Sequence, residues 1–124
     1  MSEGTNTPLS IGEGGIARYL DRAEVLASTV AQLRKDLALD EAALPEPAVG
    51  EGAFEELRRL VLGRLQALQG LGGAAVQQAM YRVDIPEGHL RRTMTAGGLH
   101  ALAGECVLRA LQKVLTRMRF AGRF

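Results

Sequence analysis

The stretch that most restricts the fold is residues 99–118, LHALAGECVLRALQKVLTRM. Leu99, Leu102, Ala103, Cys106, Val107, Ala110, Leu111, Val114, Leu115 and Met118 recur there at steps of three and four. Glu105, Arg109, Lys113 and Arg117 follow one another at four-residue steps on the opposite side. An α-helix turns once in about 3.6 residues, so the pattern gives one broad apolar face and one charged face. A face that broad has to be covered by other elements.

Three more segments supply the cover. Ile16, Leu20, Ala23, Leu26, Ala27, Val30, Leu33 and Leu37 repeat at helical spacing, which predicts one helix of about six turns from Gly15. Phe54, Leu57, Leu60, Val61, Leu65 and Leu68 mark a second helix opening near Ala53, with Glu55 four residues ahead of Arg59. The run GLGG at 70–73 ends or bends it, because glycine costs about 1 kcal/mol relative to alanine inside a helix. A short third helix, AAVQQAMYRV, follows. Between the first two lies DEAALPEPAVGEG (40–52), an acidic Pro/Gly connector long enough to cross the end of a bundle. TAGG at 95–98 supplies the positive-φ freedom to stop one helix before the last begins.

No alternating strand pattern of useful length occurs, and aromatics are only 4% of the chain. A Leu/Val/Ala core of this kind suits packed helices. The predicted fold is all-α, a compact bundle of four to five helices. The predicted organisation is a flexible tail over 1–14, one domain over 15–120 and a short tail at 121–124. The long first, second and last helices form the frame, and an 86–95 helix packs across one end.

The net charge of +1 hides a division. Residues 1–56 hold eleven acids and four bases, hence −7; residues 57–124 hold eleven bases and three acids, hence +8. Two halves that attract each other are the simplest reading. The lone Cys106 cannot form an internal disulfide, which fits a reducing, cytoplasmic setting. No window has the roughly 18 consecutive apolar residues of a membrane span, and MSEGTNTPLSIGEGG lacks the features of a secretory signal.

The densest polar stretch is YRVDIPEGHLRR, residues 81–92. Its spacing reads as a helix start, with Asp84 as N-cap, Pro86 in the first turn and Glu87 at the third position in a variant capping box. An acid–base or metal cluster of Asp84, Glu87 and His89 is disfavoured. Glu87 and His89, two apart on a helix, point in divergent directions, whereas ligands on one helix want spacings of three or four. His89 then falls at the surface. Tyr81 is expected to bury its ring at the helix joint, while Arg82, Arg91 and Arg92 either pair with acids or form a solvated face. Cys106 lies within the apolar stripe, where a thiol is commonly inert. His100 is six residues from it, off its face. The glycine-rich runs lack the strand before and the Lys-Ser/Thr after that phosphate-binding loops need. No catalytic, metal-binding or cofactor-binding residue is assigned, and no enzyme activity or cofactor is expected.

MYRVDIPEGHLRRTM and RALQKVLTRMRF, with VAQLRKDL at 30–37, resemble a group of small uncharacterised bacterial proteins. These share a YR-x-D-x-x-E stretch and a C-terminal LQK-x-x-TR helix. The resemblance spans about residues 15–120 and implies an all-helical fold with no known activity. It also implies that Gln112, Lys113, Thr116 and Arg117 belong to a shared pattern.

Two binding readings remain. Broad helix stripes that exceed one small core are often covered in a homodimer. The first reading is therefore a non-enzymatic protein acting through protein–protein contact, chiefly self-association, with Phe54, Leu57, Val61, Leu111, Leu115 and Met118 as the interface. The alternative is nucleic acid or another polyanion held by Arg109, Lys113, Arg117, Arg119 and Arg123, with Phe120 and Phe124 interleaved.

Overall fold

In the computed structural model, residues 15–122 are described; the tail at 1–14 and the last two residues, Arg123 and Phe124, lie outside them. The described chain is all-α, without strands. A 3-10 turn at Ala17–Asp21 leads to α1 (Ala23–Leu37), α2 (Ala53–Gly70), α3 (Gly73–Val83) and a kinked α4 (Glu87–Phe120). None of these helices is long and apolar enough to cross a membrane.

The first predicted helix is divided. Arg22 takes an extended conformation (φ −103°, ψ 122°) between the 3-10 turn and α1. No Gly or Pro marks the break. Leu20 is only 1% exposed, with Ile16 and Tyr19 packed beside it, so the turn follows the core rather than the helical repeat. α1 stops at Ala38, which adopts the left-handed conformation (φ 56°). The connector is pinned from the bundle side: Arg34 Nε donates to the Leu44 carbonyl at 2.9 Å, and the Leu44 side chain is fully buried. Between α2 and α3, Gly72 has φ 118°, a value that favours glycine.

α4 contains the decisive bend. Gly98 sits at φ 66°, ψ −157°, a region nearly restricted to glycine, and divides α4 into arms of residues 87–97 and 99–120. On a straight helix residues 89 and 105 would lie about 24 Å apart. His89 Nε2 instead lies 2.8 Å from Glu105 Oε1, so the first arm is folded back over the second. The arms meet closely near the bend: a Cβ on Gly97 would come within 2.6 Å of the Ala101 Cβ.

The core is one cluster gathered along the second arm, which packs on α1 and α2. It contains most of the residues expected to cover a dimer interface. Phe54, Leu57, Val61, Leu111 and Met118 are between 0% and 8% exposed within the single chain, and Leu115 is partly buried. Their broad stripes are consumed by α1, α2 and α4 packing on one another, so these side chains are the core and not an exposed interface.

Two charged groups are buried in this frame. Asp36 accepts from Lys113 Nζ (2.9 Å) and Gln32 Nε2 (3.0 Å), with side-chain exposures of 7% for Asp36 and 18% for Lys113. Arg82 Nε donates to the Asp36 carbonyl at 3.1 Å, which ties α3 to the same point. The ion pair links the acidic and basic halves of the sequence. Arg58 on α2 pairs with Glu55, lies over the Phe54 ring and rests against Gly104 of α4. A Cβ at residue 104 would approach Arg58 Nη1 to 2.7 Å, so glycine makes room for the guanidinium. The expected Glu55–Arg59 pair is replaced by Glu55–Arg58 and Glu56–Arg59, each three residues apart.

Cys106 is fully buried, with its thiol 3.6 Å from Met80 Sδ. Burial, reinforced by nearby Glu105 and Asp36, pushes the thiol up to about 12 from an ordinary 9.0.

Breaking the buried pair with Lys113→Met leaves Asp36 uncompensated and should cost about 2–4 kcal/mol in denaturant unfolding, whereas Asp36→Leu/Lys113→Met recovers most of it. Cys106 should resist aqueous thiol reagents in the native protein and react on unfolding. Above about pH 9 the unfolded thiol loses its proton while the native one keeps it up to about 12. The thiol's contribution to stability is therefore fully present below that window and lost as pH rises through it, and a Cys106→Val variant should lack that part of the slope.

A candidate binding cleft at the α4 elbow

Folding α4 back on itself places one face of each arm across a gap. From the first arm come His89, Arg92, Thr93 and Ala96, spaced at three and four; from the second come Ala101, Glu105, Leu108 and Gln112, spaced likewise. Asp84, Ile85 and Pro86 close one side, with Arg109 bonded to Asp84 there. The open cleft measures about 850 Å³, within the usual range for small-molecule sites. Small residues at 96 and 101, nearest the bend, keep the arms from filling it.

The segment before α4 is built differently from the predicted N-cap. Asp84 closes α3 rather than opening α4: it is left-handed (φ 76°), and its side chain makes no cap bond. Asp84 N–H donates to the Tyr81 carbonyl and Ile85 N–H to the Met80 carbonyl, at 3.2 and 2.9 Å. That is a Schellman ending with aspartate where glycine is usual. Pro86 disfavours a helical Ile85, so the helix start moves past it; Pro86 becomes the N-cap and Glu87 the first helical residue. Glu87 pairs with Arg91 at 3.1 Å instead of reaching back to a cap.

The cleft's charges are arranged unequally. Asp84 Oδ2 accepts from Arg109 Nη2 at 2.7 Å, and this bond holds the Asp84 carboxyl below the usual carboxylate range. Glu105, 18% exposed, is bonded by His89. Arg92 has no ion-pair partner among the described residues. The His89–Glu105 contact is the main site feature that local spacing misses, since neither residue finds a partner on its own arm. A carboxylate that orients an imidazole is a familiar part of acid–base and metal sites. A metal would need a third donor, and no group of three or more such side chains occurs among the described residues.

Other polar residues do not converge here. Tyr81, expected to bury its ring, is 86% exposed, and His100 is exposed with its carbonyl facing Arg58 at 3.5 Å. Tyr81 borders a second, smaller groove of about 480 Å³ with Gln77, Met80, Ile85, Pro86 and Leu90. Residues 84–86 therefore form a ridge between two concave surfaces.

The proposed polyanion stripe is largely engaged inside the molecule. Arg109 bonds Asp84, Lys113 bonds Asp36, and Arg117 Nη1 donates to Gln32 Oε1 at 2.8 Å. Arg119 is exposed with no such bond among the described residues, and Arg123 lies outside them. No family model, curated protein or solved structure matches this chain.

If the elbow needs its glycine, Gly98→Ala should destabilise the protein by about 1–3 kcal/mol. It should also perturb the NMR resonances of His89 and Glu105, far along both arms, while a Gly63→Ala change on open surface of α2 should perturb neither.

Proposed function

We propose that this chain is a non-enzymatic module acting through protein–protein contact, and that its partner is a second copy of itself. The observation that carries the reading is Tyr81, an 86% exposed aromatic beside a groove lined by Met80, Ile85, Pro86 and Leu90 together with Gln77, Asp84 and Glu87. Tyr, Met and Arg are the residue types enriched at such contacts. The surface offers both a knob and a hole, which an isologous pair uses twice. Asp84 and Glu87 border the groove, each already paired within the chain, with Arg109 and Arg91. The interface moves from the helix stripes to the outer side of the α3–α4 joint.

Among the described residues the His89–Glu105 pair is joined by no set of three metal-ligating side chains, which favours a binding role over catalysis. Tyr81, His100 and the Asp84–Arg109 pair stand apart, and the one thiol is buried and held protonated. A single buried thiol also suits a reducing, cytoplasmic setting.

Sedimentation equilibrium from low to high micromolar concentration should show the mass rising from 13.3 kDa towards twice that value. Tyr81→Ala should raise the dissociation constant about 30-fold, the effect of losing one aromatic anchor, with no loss of folding stability. A monomer at every concentration would end the self-association reading.

A further inference from the structure

We infer that the cleft between the α4 arms is a binding site for a small amphipathic carboxylate, with Arg92 as the group that receives the carboxylate. The inference is independent of self-association, because it rests on the inner surface of the elbow and not on the Tyr81 groove.

The walls select an apolar body. Pro86, Ala96 and Ala101 line the gap, with the edges of the core residues Ile85 and Leu108 behind them. Apolar side chains come from both arms and from the segment before them, and about 850 Å³ holds a short acyl chain or a small ring system. A folded chain normally closes such a gap with larger side chains. Here alanines occupy the two positions nearest the bend, so the space is part of the construction.

The charges select the head group. Both acids at the cleft are already engaged: Asp84 by Arg109, and Glu105 by His89. Arg109 is spent on Asp84, which leaves Arg92 as the cleft cation without an ion-pair partner among the described residues. Arg92 lines the cleft, and its guanidinium lies back over Gly88, where a Cβ would stand 3.4 Å from Nη1. A planar fork of donors matches a carboxylate in two-point contact. A dianionic head such as phosphate would meet one free cation and two neighbouring carboxylates, so a monoanion is the better charge match. An ammonium head would be repelled by Arg92 and would find both acids occupied.

The test uses octanoate, 1-octanol and octylammonium as probes, each titrated below its aggregation limit into the isotope-labelled full chain and followed by amide NMR. Octanoate should give saturable shifts on both cleft faces, at 84–86, 89–96 and 101–112, and bind at least about tenfold tighter than octanol. Octylammonium should bind more weakly than octanol. Arg92→Gln, an exposed change, should lower octanoate affinity to the level of octanol without altering octanol binding. Ala96→Phe, which fills the gap from an exposed position, should remove both. Equal affinity for octanoate and octanol, unchanged octanoate binding in Arg92→Gln, or octanoate shifts centred outside the cleft would each overturn the inference.

Discussion

The fold depends on one backbone conformation, that of Gly98. At φ 66°, ψ −157° it turns a segment that would otherwise run as a rod of about 50 Å into two arms lying against each other. Gly97 permits the close approach that follows. Folding back brings Leu90 and Thr93 of the first arm into buried positions while the second arm keeps its own stripe on α1 and α2. It also creates the cleft, because each arm carries a second face that the core does not use. A continuous helix would have neither the His89–Glu105 contact nor the space beside it.

Buried charge fixes how the helices sit around that elbow. Asp36 is satisfied only when α1, α3 and α4 are all in register, since Lys113 and Gln32 bond its carboxylate while Arg82 bonds its carbonyl. Arg58 does similar work between α2 and α4, with Gly104 shaped to receive it. Such pairs add little net stability compared with apolar packing, but a misregistered bundle would leave them unpaired. The same bonds explain why the basic stripe of α4 is quieter than its sequence implies. Arg109, Lys113 and Arg117 each reach a partner on another part of the chain.

Much of this was legible in the sequence, and the failures have physical causes. The stripes located the helices, and the glycine runs at 70–73 and 95–98 located two junctions, because those signals are local. The break at Arg22 left no mark, since no Gly or Pro stands there and the turn before it packs Leu20, Ile16 and Tyr19 on the core. Asp84 misled because D-x-x-E matches a capping pattern whose reading depends on which side of Pro86 the helix begins. The broad stripes were read as surplus apolar surface, yet three helices around one small core bury most of them. The cleft was beyond local reading: Glu105 and His89 are sixteen residues apart, and only the direction of the fold at Gly98 joins them.

The central claim is therefore that α4 folds back on itself in solution. The most direct measurement is a spin-label distance between positions 87 and 116, both exposed and on opposite arms. Unbroken, α4 would separate them by about 44 Å along its axis. The elbow predicts a single distance well below that value, unchanged in Tyr81→Ala and lengthened or broadened in Gly98→Ala. A distribution centred on the straight-helix separation would contradict the account, and with it the cleft.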